Sequence, residues 1–290
     1  MRRFSLLLIC LFLVGLCGCV QTDSNVDIVA TTMPVYDFTR ALCEGTELEV
    51  SLLISDNVSC LHDYSLSTTQ MRRLERATVI ITNGAGLETF AEDILKNKTN
   101  VVDSSVGISL LESCHAHKEE HDHHHEEDSH IWLSPANGKI MSQNICNALW
   151  AQDPQHRAVL EQNLASLHAI LDELQTYGES QLATVSCRKL ITFHDGFAYL
   201  ADAFHLELLA SMEEDDGSTI SAAKRIELAK MIEANHIPAI FIETNGYAGS
   251  AQSIATEVGI SLFTLNTAMS DMDYFSAMRH NINTLKEALG

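Results

Sequence analysis

The sequence predicts an α/β protein: two parallel-sheet lobes bridged by one long rigid α-helix, with a ligand crevice between the lobes. Three observations carry this expectation. Short apolar runs of strand length alternate with runs of helical length, the pattern of mostly parallel sheets covered on both faces. In the middle, Pro154 to Val185 contains no glycine before Gly178 and no further proline. Within it Leu160, Leu164, Leu167, Ile170, Leu171 and Leu174 recur at helical spacing, and the strand–helix alternation then resumes. At about 1.5 Å per residue such a helix is a rod of about 40 Å. Two lobes of this kind hold ligands outside the carboxyl ends of their strands.

The elements follow in order. "DIVATT" reads as a strand, and Pro34 sits at the first turn of a helix through Leu42. "LEVSLLI" is the next strand, followed by a loop with His62 and a helix over "STTQMRRLERA", capped by Ser67 or Thr68. "TVIITNGAG" and "TNVVDSS" are buried strands flanking a helix from Leu87 to Lys96. Beyond the central helix come the strand "KLITFH", the strand "LELLAS", a helix from Thr219 to Asn235, the strand "AIFIET", a helix near Ala251 to Val258, the strand "SLFTL" and a last helix from Asp273 to Leu289. The expected organisation is a signal segment 1–18, a tether 19–25, an N-terminal lobe 26–153 with an acidic histidine-rich loop 112–129, a linking helix 154–186 and a C-terminal lobe 187–290.

The leading residues place the chain outside the cytoplasm. Arg2 and Arg3 precede an apolar run, Phe4 to Leu16, that is too short to span a bilayer. "LCGC", Leu16 to Cys19, resembles the lipobox of bacterial lipoproteins, which implies lipid on Cys19 and a domain tethered at a membrane face. With 18 basic against 39 acidic residues and a net charge of −21, the chain repels nucleic acid and anionic headgroups and attracts cations. Beyond Cys19, the cysteines Cys43, Cys60, Cys114, Cys146 and Cys187 are odd in number and lack a CxxC pair, which argues against a disulfide framework or a thiolate zinc knuckle.

Histidine is the residue to explain. Seven of the fourteen lie between His115 and Pro135. His115, His117, His121, His123, His124 and His125 are interleaved with carboxylates in an internal run, unlike an expression tag. His62, His130 and His194 stand apart, each where a strand-end loop faces one cleft, and more than sixty residues separate each from the next. Imidazole is a common neutral metal ligand, and three converging imidazoles suit zinc. Taken singly, each is a hydrogen-bonded loop histidine, and spacing alone does not choose between the readings.

Longer blocks do choose. "LHDYSLSTTQMRRLERATVIITNGAGLETFAEDIL", "HIWLSPANGKIMSQNICNAL", "LITFHDGFAYLADAFHLEL", "ISAAKRIELAKMIEANHIPAIFIETN" and "YFSAMRHNINTLKEAL" resemble, in order, the blocks of the zinc-binding solute-binding proteins of bacterial ABC importers, the ZnuA type. The resemblance implies a metal in the cleft between the lobes, Zn2+ as transported ligand, an ABC permease and its ATPase as partners, and a monomer without enzymatic activity. Carried over by position, it implies His62, His130 and His194 as ligands. Two positions depart from the pattern: Leu61 replaces a frequent proline, and Asn266 stands where relatives commonly have a ligating aspartate. The fourth position is then water, the amide of Asn266, or a carboxylate such as Glu243, with Asp195 also in reach or in the surrounding shell. A third histidine in place of a carboxylate, with Asn266, moves the preference from manganese or iron toward zinc. The histidine-rich loop has ligands but no preorganised cage, so it is expected to hold several zinc ions weakly. Two alternatives share these residues: a manganese- or iron-binding protein or metal-binding adhesin, and, more remotely, a zinc hydrolase with Glu243 or Asp195 as base, although no HExxH or GxSxG motif is present.

Overall fold

The computed structural model describes residues 27–55, 61, 64–113, 127–212, 221–246, 248–269 and 272–290. The signal segment with Cys19, His62 and the six histidines from His115 to His125 lie outside the described residues. Two four-stranded parallel sheets organise the chain. The first contains β1 (Asp27–Ala30), β2 (Glu49–Leu52), β3 (Val79–Thr82) and β4 (Val101–Asp103), in the order β2-β1-β3-β4. The second contains β5 (Lys189–Thr192), β6 (Glu207–Ser211), β7 (Ala239–Glu243) and β8 (Ser261–Leu265), in the matching order β6-β5-β7-β8. In each sheet the order reverses between the first and third strands, which opens a crevice at their carboxyl ends. The central strands are mostly apolar, and β3 and β7 are buried at every position, as expected for strands covered on both faces.

The helices are α1 (Met33–Cys43), α2 (Thr68–Arg76), α3 (Glu92–Leu95), α4 (Pro135–Gln152), α5 (Arg157–Leu182), α6 (Ala198–Ala203), α7 (Ala222–Asn235), α8 (Gly249–Val258) and α9 (Tyr274–Leu289). Several starts follow from local chemistry. Pro34 lies in the first turn of α1. Ser67 and Gln70 form a reciprocal capping box on α2. Ser134 accepts from the Asn137 N–H and is followed by Pro135, which opens α4. Asp273 caps α9 through Ser276.

The central helix α5 has 26 residues and is preceded by a 3-10 turn at Pro154–His156, so regular helix begins later than Pro154 and stops before Val185. It buries Leu160, Leu164, Leu167, Leu171 and Leu174, at about 1.5–3 kcal/mol for each fully buried side chain. Ile170 is 46% exposed, beside that stripe rather than on it. The two ends of α5 belong to different lobes. Near its start the Asn163 amide donates to the carbonyls of Leu42 and Glu44, at 2.8 and 2.7 Å. Farther along, Gln175 donates to the Ala203 carbonyl at 2.8 Å, and Arg279 of α9 pairs with Glu173 at 3.0 Å. The lobes also meet directly: Trp132 Nε1 donates to the Thr267 carbonyl at 2.8 Å, and the Tyr274 hydroxyl donates to the Trp132 carbonyl at 2.9 Å.

One expectation needs correction here, and one element was not anticipated. The helix expected from Leu87 to Lys96 is a 3-10 turn, Leu87–Ala91, followed by the single-turn α3. Glu88 leaves helical geometry because its buried carboxylate turns back to accept from Thr31 Oγ1 at 2.7 Å and from the N–H groups of Asn83 and Gly84 at 2.7 and 3.1 Å. Burial pushes that carboxyl up to about 7, although these donors act in the opposite direction. The segment from Pro135 to Gln152, to which the sequence pattern assigned no element, forms α4, packed on α5. Cys43, Cys146 and Cys187 are free thiols.

Candidate metal centre

His194 follows β5 directly. The Phe193 N–H continues the sheet by donating to the Phe241 carbonyl at 2.8 Å, and Thr192 Oγ1 donates to the His194 carbonyl at 2.9 Å, so the turn that presents the imidazole is held at both ends. Glu243, the last residue of β7, stands at the same switch point of the second sheet. His130 comes from the first lobe, just before the 3-10 turn Ile131–Leu133, whose Trp132 is bonded to the second lobe. Asn83, just after β3, donates through its amide to the Ser129 carbonyl at 3.0 Å and fixes the residue preceding His130.

The two rings meet in the crevice. His130 Nε2 and His194 Nε2 are 3.3 Å apart, and the ring planes are nearly perpendicular at 87°. Tetrahedral zinc with Zn–N bonds of about 2.0–2.1 Å sets two donor nitrogens about 3.3–3.4 Å apart. Both residues are buried, as are Asp195 and Glu243. Glu243 Oε2 lies 3.8 Å from His194 Nε2. Asp128 Oδ1 lies 2.8 Å from His130 Nδ1. Burial pulls the His130 ring toward its neutral form, but the Asp128 hydrogen bond and charge, with the charges of Asp195 and Glu243, outweigh it and hold its pKa above the ordinary imidazole value.

The structure therefore brings His130, His194, Glu243 and Asp195 together, while His62 lies outside the described residues. Among the described residues no three His, Cys, Asp or Glu side chains form a group able to hold a metal. Asp195 accepts a hydrogen bond from the Ser113 hydroxyl. Asn266 is engaged by the fold: its Oδ1 accepts from the Ala268 N–H at 2.7 Å, while Asn281 of α9 holds its backbone on both sides at 2.7 Å. That amide oxygen closes a turn in which Ala268 has φ of +59°.

Two residues of the site escaped the sequence reading. Asp128 precedes His130 by two positions in "DSHIW", a signal hidden by the acidic run in front of it. Gly196, in "HDGF", lies so close to both rings that a Cβ there would be 2.8 Å from each Nε2. The base of the histidine-rich segment is closed by an antiparallel bridge between Glu112 and Glu127, one residue before Asp128.

Two parallel α/β lobes with facing imidazoles and a buried carboxylate in the crevice between them offer donors to a metal cation. A family profile described as "Zinc-uptake complex component A periplasmic" (ZnuA) matches residues 28–288, and the chain belongs to that family. It is 30% identical to the zinc-binding lipoprotein AdcA of Streptococcus pneumoniae R6, over 99% of this chain and 61% of that protein. It is 26% identical to the high-affinity zinc uptake system protein ZnuA of Bacillus subtilis, over 97% of this chain and 95% of that one. A crystal structure of ZnuA superposes with a TM-score of 0.80 at 28% identity, covering 91% of this chain and 99% of the other. The chain thus spans about 61% of the length of the AdcA relative.

Proposed function

We propose that this protein captures Zn2+ outside the cytoplasm and delivers it to a membrane ABC permease driven by its ATPase. The 3.3 Å approach of His130 Nε2 to His194 Nε2 carries this reading, because it is the donor separation of a tetrahedral zinc site, between lobes joined by the bond from Trp132 to the Thr267 carbonyl. Membership of a zinc-uptake family supports it. His62 is the third ligand, and Glu243, whose carboxylate already lies beside His194, is a better fourth donor than Asn266, whose oxygen is committed to a turn. The protein works as a monomer tethered through lipid on Cys19, with lobes 26–153 and 187–290 on either side of the linking segment 154–186. Among the described residues no helix is long and apolar enough to cross a membrane. The cycle is binding and release, with no bond-making step.

Competition titration of zinc on the mature domain tests the reading. One tight equivalent and several weak ones are expected. Deleting residues 115–126 is expected to remove the weak equivalents alone, and His194→Ala the tight one alone. Loss of the tight site in the loop deletion would show that the ligands lie in the loop instead.

Protons compete for the same nitrogens. Zinc needs the neutral ring, and His130 holds its proton more firmly than an ordinary imidazole. Affinity is therefore expected to fall as pH drops, starting above the usual imidazole value of about 6.5. Calorimetry in buffers of different ionisation enthalpy is expected to show protons released on binding at pH 6 to 7. Binding without proton release would exclude His130 as a ligand.

A further inference from the structure

Asp128 Oδ1 takes two hydrogen bonds from one residue: His130 Nδ1 lies 2.8 Å away and the His130 backbone N–H 2.9 Å away. The side chain is buried, at 3% residue exposure, and its Oδ2 has no hydrogen-bond partner among the described residues. An ionised carboxylate only accepts, so the ring proton belongs on Nδ1; the other tautomer would oppose two lone pairs at 2.8 Å. That leaves the Nε2 lone pair of His130 aimed at the point where His194 Nε2 also faces, 3.3 Å away.

We propose that Asp128 is a positioning residue for zinc capture, holding His130 as the Nδ1–H tautomer with Nε2 open to the ion and supplying a buried negative charge one ring away from the metal. The proposal rests on the reading of His130 as a ligand. Three neutral imidazoles and the single carboxylate of Glu243 leave a divalent ion in this crevice with net positive charge, so further compensation from nearby favours binding. Asp128 provides it without occupying a coordination position. When the ion binds Nε2, the Nδ1–H becomes more acidic and its charge-assisted bond to the carboxylate strengthens, so the contact is stronger in the loaded state than in the empty one. A more basic imidazole also favours zinc over manganese, whose binding depends on oxygen donors.

Zinc competition titrations on the full mature protein compare Asp128→Asn, Asp128→Ala and His130→Ala, and nitrogen NMR reads the His130 tautomer in the metal-free state. Asn keeps an acceptor for both N–H groups and removes the charge. It is expected to weaken zinc binding about tenfold with the Nδ1–H tautomer retained, and Ala to weaken it about 100-fold with the tautomer lost. A merely structural residue would leave the tautomer unchanged and lower only thermal stability. The proposal is overturned if His130 of the unsubstituted protein carries its proton on Nε2, or if Asp128→Asn binds zinc as tightly as the parent. Should Asp128→Ala fail to fold, those two measurements still decide. A tight equivalent that survives His130→Ala would instead overturn the ligand assignment beneath the proposal.

Discussion

Replacing Gly196 with alanine is expected to abolish the tight zinc equivalent while the protein stays folded. The Cβ would lie 2.8 Å from Nε2 of both His130 and His194, and 2.8 Å from His194 Cδ2. Real Cβ contacts are not that short, so at least one ring must move. Neither has much room: His130 is held by Asp128 and stands against Trp132, and His194 is flanked by Phe197. The methyl group also crowds the space where an ion bonded at about 2.0–2.1 Å to both nitrogens must sit. The strain of one added methyl in a packed site, about 1–3 kcal/mol, is tolerable within a global stability of about 5–15 kcal/mol. Competition titration reads the loss and thermal unfolding by circular dichroism reads the fold. A folded Gly196→Ala protein with unchanged zinc affinity would show that the ion does not sit between these rings.

The second large effect falls on the bridging helix. Gly178 of α5 packs on Phe204, and a Cβ there would come within 2.1 Å of Phe204 Cε1 and 2.5 Å of Cζ. At an exposed helical position Gly→Ala stabilises by up to about 1 kcal/mol through propensity. At Gly178 the sign reverses, because the Phe204 ring is 1% exposed and cannot swing aside without opening a void. Gly178→Ala is expected to cost about 2 kcal/mol net, the overpacking penalty less the propensity gain. Urea unfolding measures it, and adding Phe204→Leu is expected to recover part of the loss. Stabilisation by Gly178→Ala alone would show that α5 and α6 do not pack this closely.

How much of this was legible depends on the range of the interaction. The strands of both sheets were readable because β-branched, apolar runs such as "VIIT" and "AIFIE" declare themselves locally. The starts of α1 and α2 were readable from Pro34 and from Ser67 for the same reason. The helix α4 was not, because its buried face uses Gly138, Ser142 and Cys146 beside Met141, Ile145 and Leu149, and small or polar members break the apolar stripe that a period search follows. Helix was expected through Leu87–Lys96 because its composition permits it; the long-range bond from Thr31 to Glu88, with those from Asn83 and Gly84, redirects the chain.

For the site, the sequence by itself determined which atoms are available: imidazoles at His130 and His194, a carboxylate at Glu243, and an amide at Asn266 in place of a carboxylate. Tertiary structure alone decided their geometry. His130 and His194, separated by 64 residues, meet at 3.3 Å. Asn266, a candidate donor by position, has its oxygen on the Ala268 N–H. Asp128 is joined to a ring rather than to solvent, and Gly196 is small because two imidazoles lie against it. Periodicity and capping act over three or four residues and can be read along the chain. Contacts between lobes depend on how two sheets and one helix are oriented in space, and no local pattern in the sequence encodes a distance between residues that meet only after both cores have formed.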